Sequence, residues 1–400
     1  MLSKEMYKLG SARSSIRELF EYGKLKALEC GAENIMDFSL GNPSVPAPQA
    51  VEDAITKLLH DESSVTLHGY TSAAGDLGVR SAIAANLNER YSSNLSAENL
   101  FIIGGAAPAL ISCFKALADG PNPEFITIAP YFPEYKVFIE SSGAKMQVVP
   151  ADTENFQINF EALEKAINVN TCAVVINSPN NPSGSVYTKQ TLDKLGKLLE
   201  KKSEETGRVI YVVSDEPYRE LVYGDVQVPF VPSSYKNTII CYSFSKSLSL
   251  PGERIGYVAV PPDAYDGQNI YLAIAGAARS IGHVCAPSLM QRVAAICCSI
   301  SPDLSIYERN SRLLYEQMNA IGYYCAKPDG AFYLFFEAPF GLSGKEFSNL
   351  ARDKYNLLIV SGDDFGCPNY VRLSYCIPTE KIEQALPVLK ELFELCRPKI

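Results

Sequence analysis

Four hundred residues, 47% apolar and 20% charged, have an ordinary globular composition and suffice for about two domains and a large buried sheet. A formal net charge of −9 argues against the basic surfaces that nucleic acid or an anionic membrane selects. Nothing reads as a membrane span: the longest weakly polar stretch, 100–114, is interrupted by Gly104, Gly105 and Pro108.

The start, Met1-Leu2-Ser3-Lys4-Glu5-Met6, lacks the apolar core of a signal peptide. Eleven cysteines, no two spaced C-x-x-C, and three scattered histidines (His60, His68, His283) point to a reducing, cytoplasmic setting without disulfides or a metal site.

From residue 100 onward, short apolar runs at 101–103, 125–129, 146–149, 172–176, 209–213, 238–242 and 255–260 make seven candidate strands. Helical patterns lie between most of them. Leu163, Ala166 and Ile167 follow Asn159, and Leu192, Leu195, Leu198 and Leu199 follow Thr188. The alternation predicts an α/β fold, a mainly parallel seven-stranded sheet between helices.

Past residue 290 the rhythm changes to a helix at 304–321, a run at 332–336, a helix at 345–355, runs at 357–360 and 371–375, and a closing helix at 379–395. This predicts a smaller α+β domain over 291–400, packed with an N-terminal segment, 1–45, beside a large cofactor-binding domain, 46–290.

Ligands of such sheets bind beyond the carboxyl ends of the strands, so the polar residues that follow the apolar runs matter most. Lys246 stands on a small-residue turn behind the run 238–242, a short tether that suits an amine forming an imine; the plain alternative is a solvated loop lysine. Asp215 ends the stretch 209–214 and could hold a protonated ring nitrogen or merely cap a loop. Asn181 lies between Pro179 and Pro182, which a plain turn would also explain. Gly104-Gly105-Ala106-Ala107 precedes the helical pattern 108–118 and offers backbone N–H groups to a phosphate, a weak signal alone.

Their order is more specific. Asn-Pro-Ser-Gly at 181–184, Asp-x-x-Tyr at Asp215 and Tyr218, Ser-x-Ser-Lys at Ser243, Ser245 and Lys246, Arg254 eight residues on, and Arg372 in Tyr370-Val371-Arg372-Leu373-Ser374 follow one another. This resembles the class I/II aminotransferases, pyridoxal 5'-phosphate enzymes of fold type I, from Ser39-Leu40-Gly41-Asn42-Pro43 to the C-terminal helix.

The resemblance implies that Lys246 forms the internal aldimine and moves the substrate Cα proton, that Asp215 pairs with the pyridinium nitrogen, and that Asn181 and Tyr218 bond the phenolic oxygen. It gives the phosphate to the backbone of Ala106 and Ala107, to Ser243, Ser245 and Arg254, and to Tyr70 from a partner subunit. Phe132, in Pro130-Tyr131-Phe132-Pro133, covers the ring, where relatives stack an indole that this tryptophan-free chain lacks. A second departure is Ala107 or Pro108 where many relatives are polar, so backbone contacts carry more of the phosphate there.

Arg372 clamps the substrate α-carboxylate in the same comparison, and Gly41 lets the main chain approach it. Arg279 either reads a second carboxylate or is a helix-face or subunit-interface arginine. The activity implied is transfer of an amino group from an L-amino acid to a 2-keto acid by ping-pong chemistry, aspartate-like or broad in specificity, in a homodimer with shared active sites. A carbon–sulfur β-lyase would use the same lysine. A non-catalytic cofactor-binding regulator is a remote third, and no DNA-binding appendage is visible.

Overall fold

Seven apolar runs form one sheet: β1 (Leu100–Ile103), β2 (Glu124–Ile128), β3 (Lys145–Val149), β4 (Thr171–Asn177), β5 (Tyr211–Asp215), β6 (Thr238–Ser243) and β7 (Gly256–Ala259). Their order is β1-β7-β6-β5-β4-β2-β3. All residues of β4, β5 and β6 are buried, the expected state of parallel strands covered on both faces. The computed structural model describes residues 2–11 and 15–398.

Alternate residues of each strand enter different cores. Val174 and Val212 pack with Leu192, Leu195 and Leu199 of the helix Lys189–Thr206. Val175 and Val213 pack instead with Leu110 and Phe114 of the helix Ala106–Leu117 and Ala278 of the helix Gly267–Ser280. Each fully buried leucine contributes about 2 kcal/mol. The helix Lys189–Thr206 is bounded locally: the Thr188 side chain accepts from the Thr191 N–H, and Gly207 ends it at φ +68°.

β7 is antiparallel to both neighbours, while β2 to β6 pair in parallel. Its reversal brings its beginning to the edge where β6 ends, Gly256 lying opposite Ser243 and also opposite Ile103 of β1. Arg254, Ser243 and the pair Gly104-Gly105 therefore meet at one edge.

A second sheet, β8 (Tyr333–Glu337), β9 (Val360–Ser361) and β10 (Tyr370–Ser374), is antiparallel in the order β9-β10-β8. It shares a core with the helices Ser305–Ile321 and Thr379–Cys396.

Two local expectations shift. The run 357–360 is divided: Val360–Ser361 pairs with β10, whereas Leu357–Leu358 pairs in parallel with Met36–Asp37. Two residues carry no periodicity, so nothing local announces a pairing across the length of the chain. The strand expected at 209–213 runs from Tyr211 to Asp215, because its register sets Asp215 opposite Asn177. Among the described residues no helix is long and apolar enough to cross a membrane.

Candidate active site

At the carboxyl edge of β4, β5 and β6 lies a cavity of about 280 Å³. Gly41, Ala106, Ala107, Phe132, Asn181, Asp215, Tyr218, Ser243, Ser245, Lys246, Arg254 and Arg372 all line it. Asp215 is the acid among the described lining residues, and Lys246, Arg254 and Arg372 are the cations, a balance that favours anions.

Asp215 is buried, with one carboxylate oxygen, Oδ2, accepting a 2.5 Å hydrogen bond from the Tyr135 hydroxyl. Its other oxygen, Oδ1, has no partner. Burial pushes its pKa up to about 7, against the pull of the Tyr135 hydrogen bond, and neighbouring Glu216 adds to the rise. A donor at Oδ1 would restore the anion.

Asn177 holds the floor together. Its Nδ2 donates to the Asp215 carbonyl at 2.8 Å, and its Oδ1 accepts from the Asn181 N–H at 2.8 Å.

Lys246 sits in a single helical turn, Phe244–Ser247, whose first N–H groups are met by Ser243: its Oγ accepts from the Ser245 N–H at 3.2 Å. The amine Nζ donates to the Gly41 carbonyl at 2.7 Å. Burial lowers its pKa to about 8; Cys376 opposes the fall, and Arg254 and Arg372 assist it. Arg254 Nη1 donates to Ser245 Oγ at 3.3 Å, and a Cβ on Gly105, which adopts φ +97°, would stand 2.7 Å from that guanidinium. The corner is therefore open to a ligand only with glycine at 105.

Arg372 rises from β10, 2% exposed. Nη1 donates to Asn181 Oδ1 at 3.0 Å, Nη2 donates to the Ser39 carbonyl at 2.5 Å, and Nε has no partner. The guanidinium lies over the Tyr333 ring, 4.6 Å from its centroid, and the Tyr333 hydroxyl meets that of Tyr218 at 2.9 Å. A Cβ on Gly41 would collide with the Tyr333 hydroxyl, which explains a glycine there.

Tyr135 and Tyr333 are not marked by the sequence, whereas Asn177 opens the polar stretch 177–184 that follows the run 172–176. Tyr333 reads as an aromatic core residue because it lies in an apolar stretch, and Tyr135, between Glu134 and Lys136, stands in no motif that marks it.

A family model described as aminotransferase class I and II matches residues 33–389. The chain belongs to that family. An amino transferase from Eubacterium rectale, solved as a crystal structure, is 53% identical, superposes with a TM-score of 0.97 and covers 100% of both chains. The aspartate aminotransferase of Thermotoga maritima is 30% identical over 374 residues, 92% of this chain and 94% of that enzyme. A crystal structure of the T. maritima aspartate aminotransferase has a TM-score of 0.86 at 27% identity, covering 98% and 100% of the two chains.

Two expected residues of this aminotransferase lie outside the cavity lining. Tyr70 is 88% exposed, and Arg279 is exposed in the last turn of the helix Gly267–Ser280. One chain by itself does not bring either to Lys246.

The depressed Lys246 pKa has a measurable consequence for the cofactor-free aminotransferase. Between about pH 8 and 10.5 the unfolded chain still binds the proton that the folded amine has released, so this group's contribution to stability rises with pH. At pH 7 its cost is of order 3 kcal/mol. Lys246→Met is therefore expected to be more stable than the parent at pH 7, with an advantage that shrinks by pH 10. Urea midpoints at the two pH values check this, and a constant difference counts against the buried amine.

Proposed function

We propose that this aminotransferase works with pyridoxal 5'-phosphate, taking the amino group of aspartate or a similar L-amino acid and delivering it to a 2-keto acid. One observation carries the cofactor reading: the unpartnered Oδ1 of a buried Asp215, in the same cavity as a buried amine of pKa about 8. A protonated pyridine nitrogen is the kind of donor that would satisfy that oxygen and hold the carboxylate ionised.

When bound, the cofactor supplies an aldehyde carbon that takes up amines and a ring that accepts the electron pair left as a Cα proton departs. The rest falls to the chain. The N–H groups of Ala106 and Ala107, the hydroxyls of Ser243 and Ser245, and Arg254 would hold the phosphate, helped by the helix N-terminus at Ala106. Asn181 and Tyr218 would bond the phenolic oxygen, and Phe132 would cover the ring face. Arg372 would receive the substrate α-carboxylate, beside the Gly41 backbone.

Lys246 then acts as a base at the substrate Cα. A pKa of about 8 leaves a usable neutral fraction near pH 7, and nearby Arg254 and Arg372 discourage a further positive charge.

The working unit proposed is a homodimer, in which the exposed Tyr70 of a second copy completes the phosphate site. Residues 1–45 and 291–400 would form the smaller of two domains, supported by the pairing of Met36–Asp37 with Leu357–Leu358.

Relatives from Thermotoga maritima and Bacillus subtilis named aspartate aminotransferase support a dicarboxylic donor. With Arg254 and Arg372 committed to the phosphate and α-carboxylate and Lys246 to the cofactor and the Cα proton, no cation remains among the described lining residues for a side-chain carboxylate. Arg279, reaching over from the second copy, is the proposed reader. Arg279→Leu should raise KM for aspartate by roughly 10- to 100-fold and leave an apolar donor within about twofold. Equal effects on both donors would remove it from that role.

The cofactor reading is tested by titrating the purified protein with pyridoxal phosphate. A saturable visible absorbance is expected, lost after borohydride, with a mass increase on the peptide that holds Lys246. A colourless protein that takes up none sinks the assignment. Amino acids screened against 2-oxoglutarate and pyruvate then identify donor and acceptor.

A further inference from the structure

Arg219 is 2% exposed, and none of its contacts belongs to the cavity lining. Its Nη2 donates to the Tyr257 hydroxyl at 2.6 Å. Nη1 lies 3.4 Å from Glu216 Oε2, and Nε lies 3.5 Å from Glu220 Oε1. The guanidinium also lies over the Tyr242 ring, 4.2 Å from its centroid. Arg90, itself exposed, makes a second ion pair with Glu220 at 2.8 Å, so two carboxylates face two cations in a group that runs from the buried Arg219–Glu216 pair to the surface.

The members of this group neighbour the site residues in sequence. Glu216 follows Asp215, Tyr242 precedes Ser243, and Ser247 follows Lys246. Glu216 Oε1 accepts from the Ser214 hydroxyl at 2.7 Å, and its N–H donates to the Cys241 carbonyl at 2.9 Å, which locks the end of β5 to β6.

The Tyr242 hydroxyl meets both Glu220 Oε2 at 2.7 Å and Ser247 Oγ at 2.8 Å. It has one proton, which the carboxylate takes. It therefore accepts from Ser247, and that fixes the direction of the hydrogen bonds from Ser247 through Tyr242 to Glu220, whose Oε1 faces Arg219 as an ion pair, Arg219 Nε and Nη1 making no hydrogen bond.

A buried ion group adds little net stability over apolar packing, but it tolerates little displacement of its members. We propose that Arg219 is a positioning residue for amino transfer: through Glu216 it fixes the strand end bearing Asp215, and through Glu220, Tyr242 and Ser247 it fixes the turn bearing Lys246. Acid and amine are thereby held in one register from behind the sheet. This assignment rests on the proposed roles of Asp215 and Lys246.

The readout is the pH midpoint of Lys246 acylation in the cofactor-free protein, followed by mass spectrometry of the labelled peptide. The charged and titratable groups that bear on this amine are Cys376, Arg254 and Arg372, all retained in the variants. Tyr242→Phe keeps the ring and removes both hydroxyl contacts, and Arg219→Lys keeps the charge and loses the fork.

Each should loosen the turn and admit water to the amine, relieving the desolvation that lowers its pKa, and so move the midpoint up by about half a pH unit or more. In the loaded enzyme, kcat should fall about tenfold with KM within about twofold. A lowered melting temperature with an unmoved midpoint and unchanged kcat overturns the proposal, leaving Arg219 a merely structural ion pair. A shift in Arg219→Lys without one in Tyr242→Phe also overturns it, because the path runs through that hydroxyl. Should Arg219→Lys not fold, Tyr242→Phe decides alone. Failure of the parent protein to bind pyridoxal phosphate overturns the cofactor reading separately, since the midpoint is measured without it.

Discussion

Lys246→Ala is expected to lower turnover by about 10⁴-fold, the upper range for a positioned proton-transfer group, while the protein still folds and still binds pyridoxal phosphate. No other described lining residue is an amine, and this one is tethered to a single helical turn and aimed at the Gly41 carbonyl. Its lowered pKa makes it both a nucleophile and a base near neutral pH. Lys246→Arg should fare no better, because a guanidinium keeps its proton throughout that range.

Steady-state kinetics with matched cofactor occupancy provide the measurement. Occupancy itself should survive, because the phosphate contacts proposed for Ser243, Ser245 and Arg254 do not include this amine. A Lys246→Ala enzyme retaining a tenth of parental turnover would falsify the role.

The second large effect is expected at Arg372. Its guanidinium is buried, bonded to Asn181 and Ser39 and stacked on Tyr333, so its orientation is set before any substrate arrives. Arg372→Lys retains the charge but has only a point donor in place of a planar fork. Loss of one charge-assisted bond of about 3 kcal/mol predicts a fall in kcat/KM of roughly 10²-fold, chiefly through KM. Amines lacking an α-carboxylate should react with parent and variant at similar rates. An unchanged kcat/KM for the amino acid would show that its carboxylate binds elsewhere.

The fold was legible because the strands are buried on both faces. Parallel strands such as 172–176 and 238–242 carry unbroken apolar runs, and the helix behind Thr188 has leucines at helical spacing with a capping threonine. Less legible were the Met36–Asp37 pairing with Leu357–Leu358 and the two-residue slide of β5, both decided by partners distant in sequence.

The candidate site residues were legible for a related reason. Lys246 and Asp215 follow apolar runs, Asn181 is fixed between prolines and Arg372 interrupts the run 371–375, so each contrasts with its local surroundings. Tyr135 and Tyr333 have no such contrast, and only their hydroxyl partners, Asp215 and Tyr218, distinguish them from core aromatics.

By itself the sequence determined the strand and helix succession, the seven-stranded mainly parallel sheet and the membership of one cavity by most of the residues named from it. The elements and the sheet follow from periodicity and chain order, which are properties of neighbouring residues, whereas the site residues came from the resemblance of their ordered motifs to the class I/II aminotransferases. The tertiary structure alone decided that Asp215 keeps one free oxygen, that Lys246 is buried enough to titrate near 8, and that Arg219 joins the ends of two strands behind them. Each of those depends on desolvation and on contacts between segments far apart in the chain, quantities that no local pattern of residues encodes.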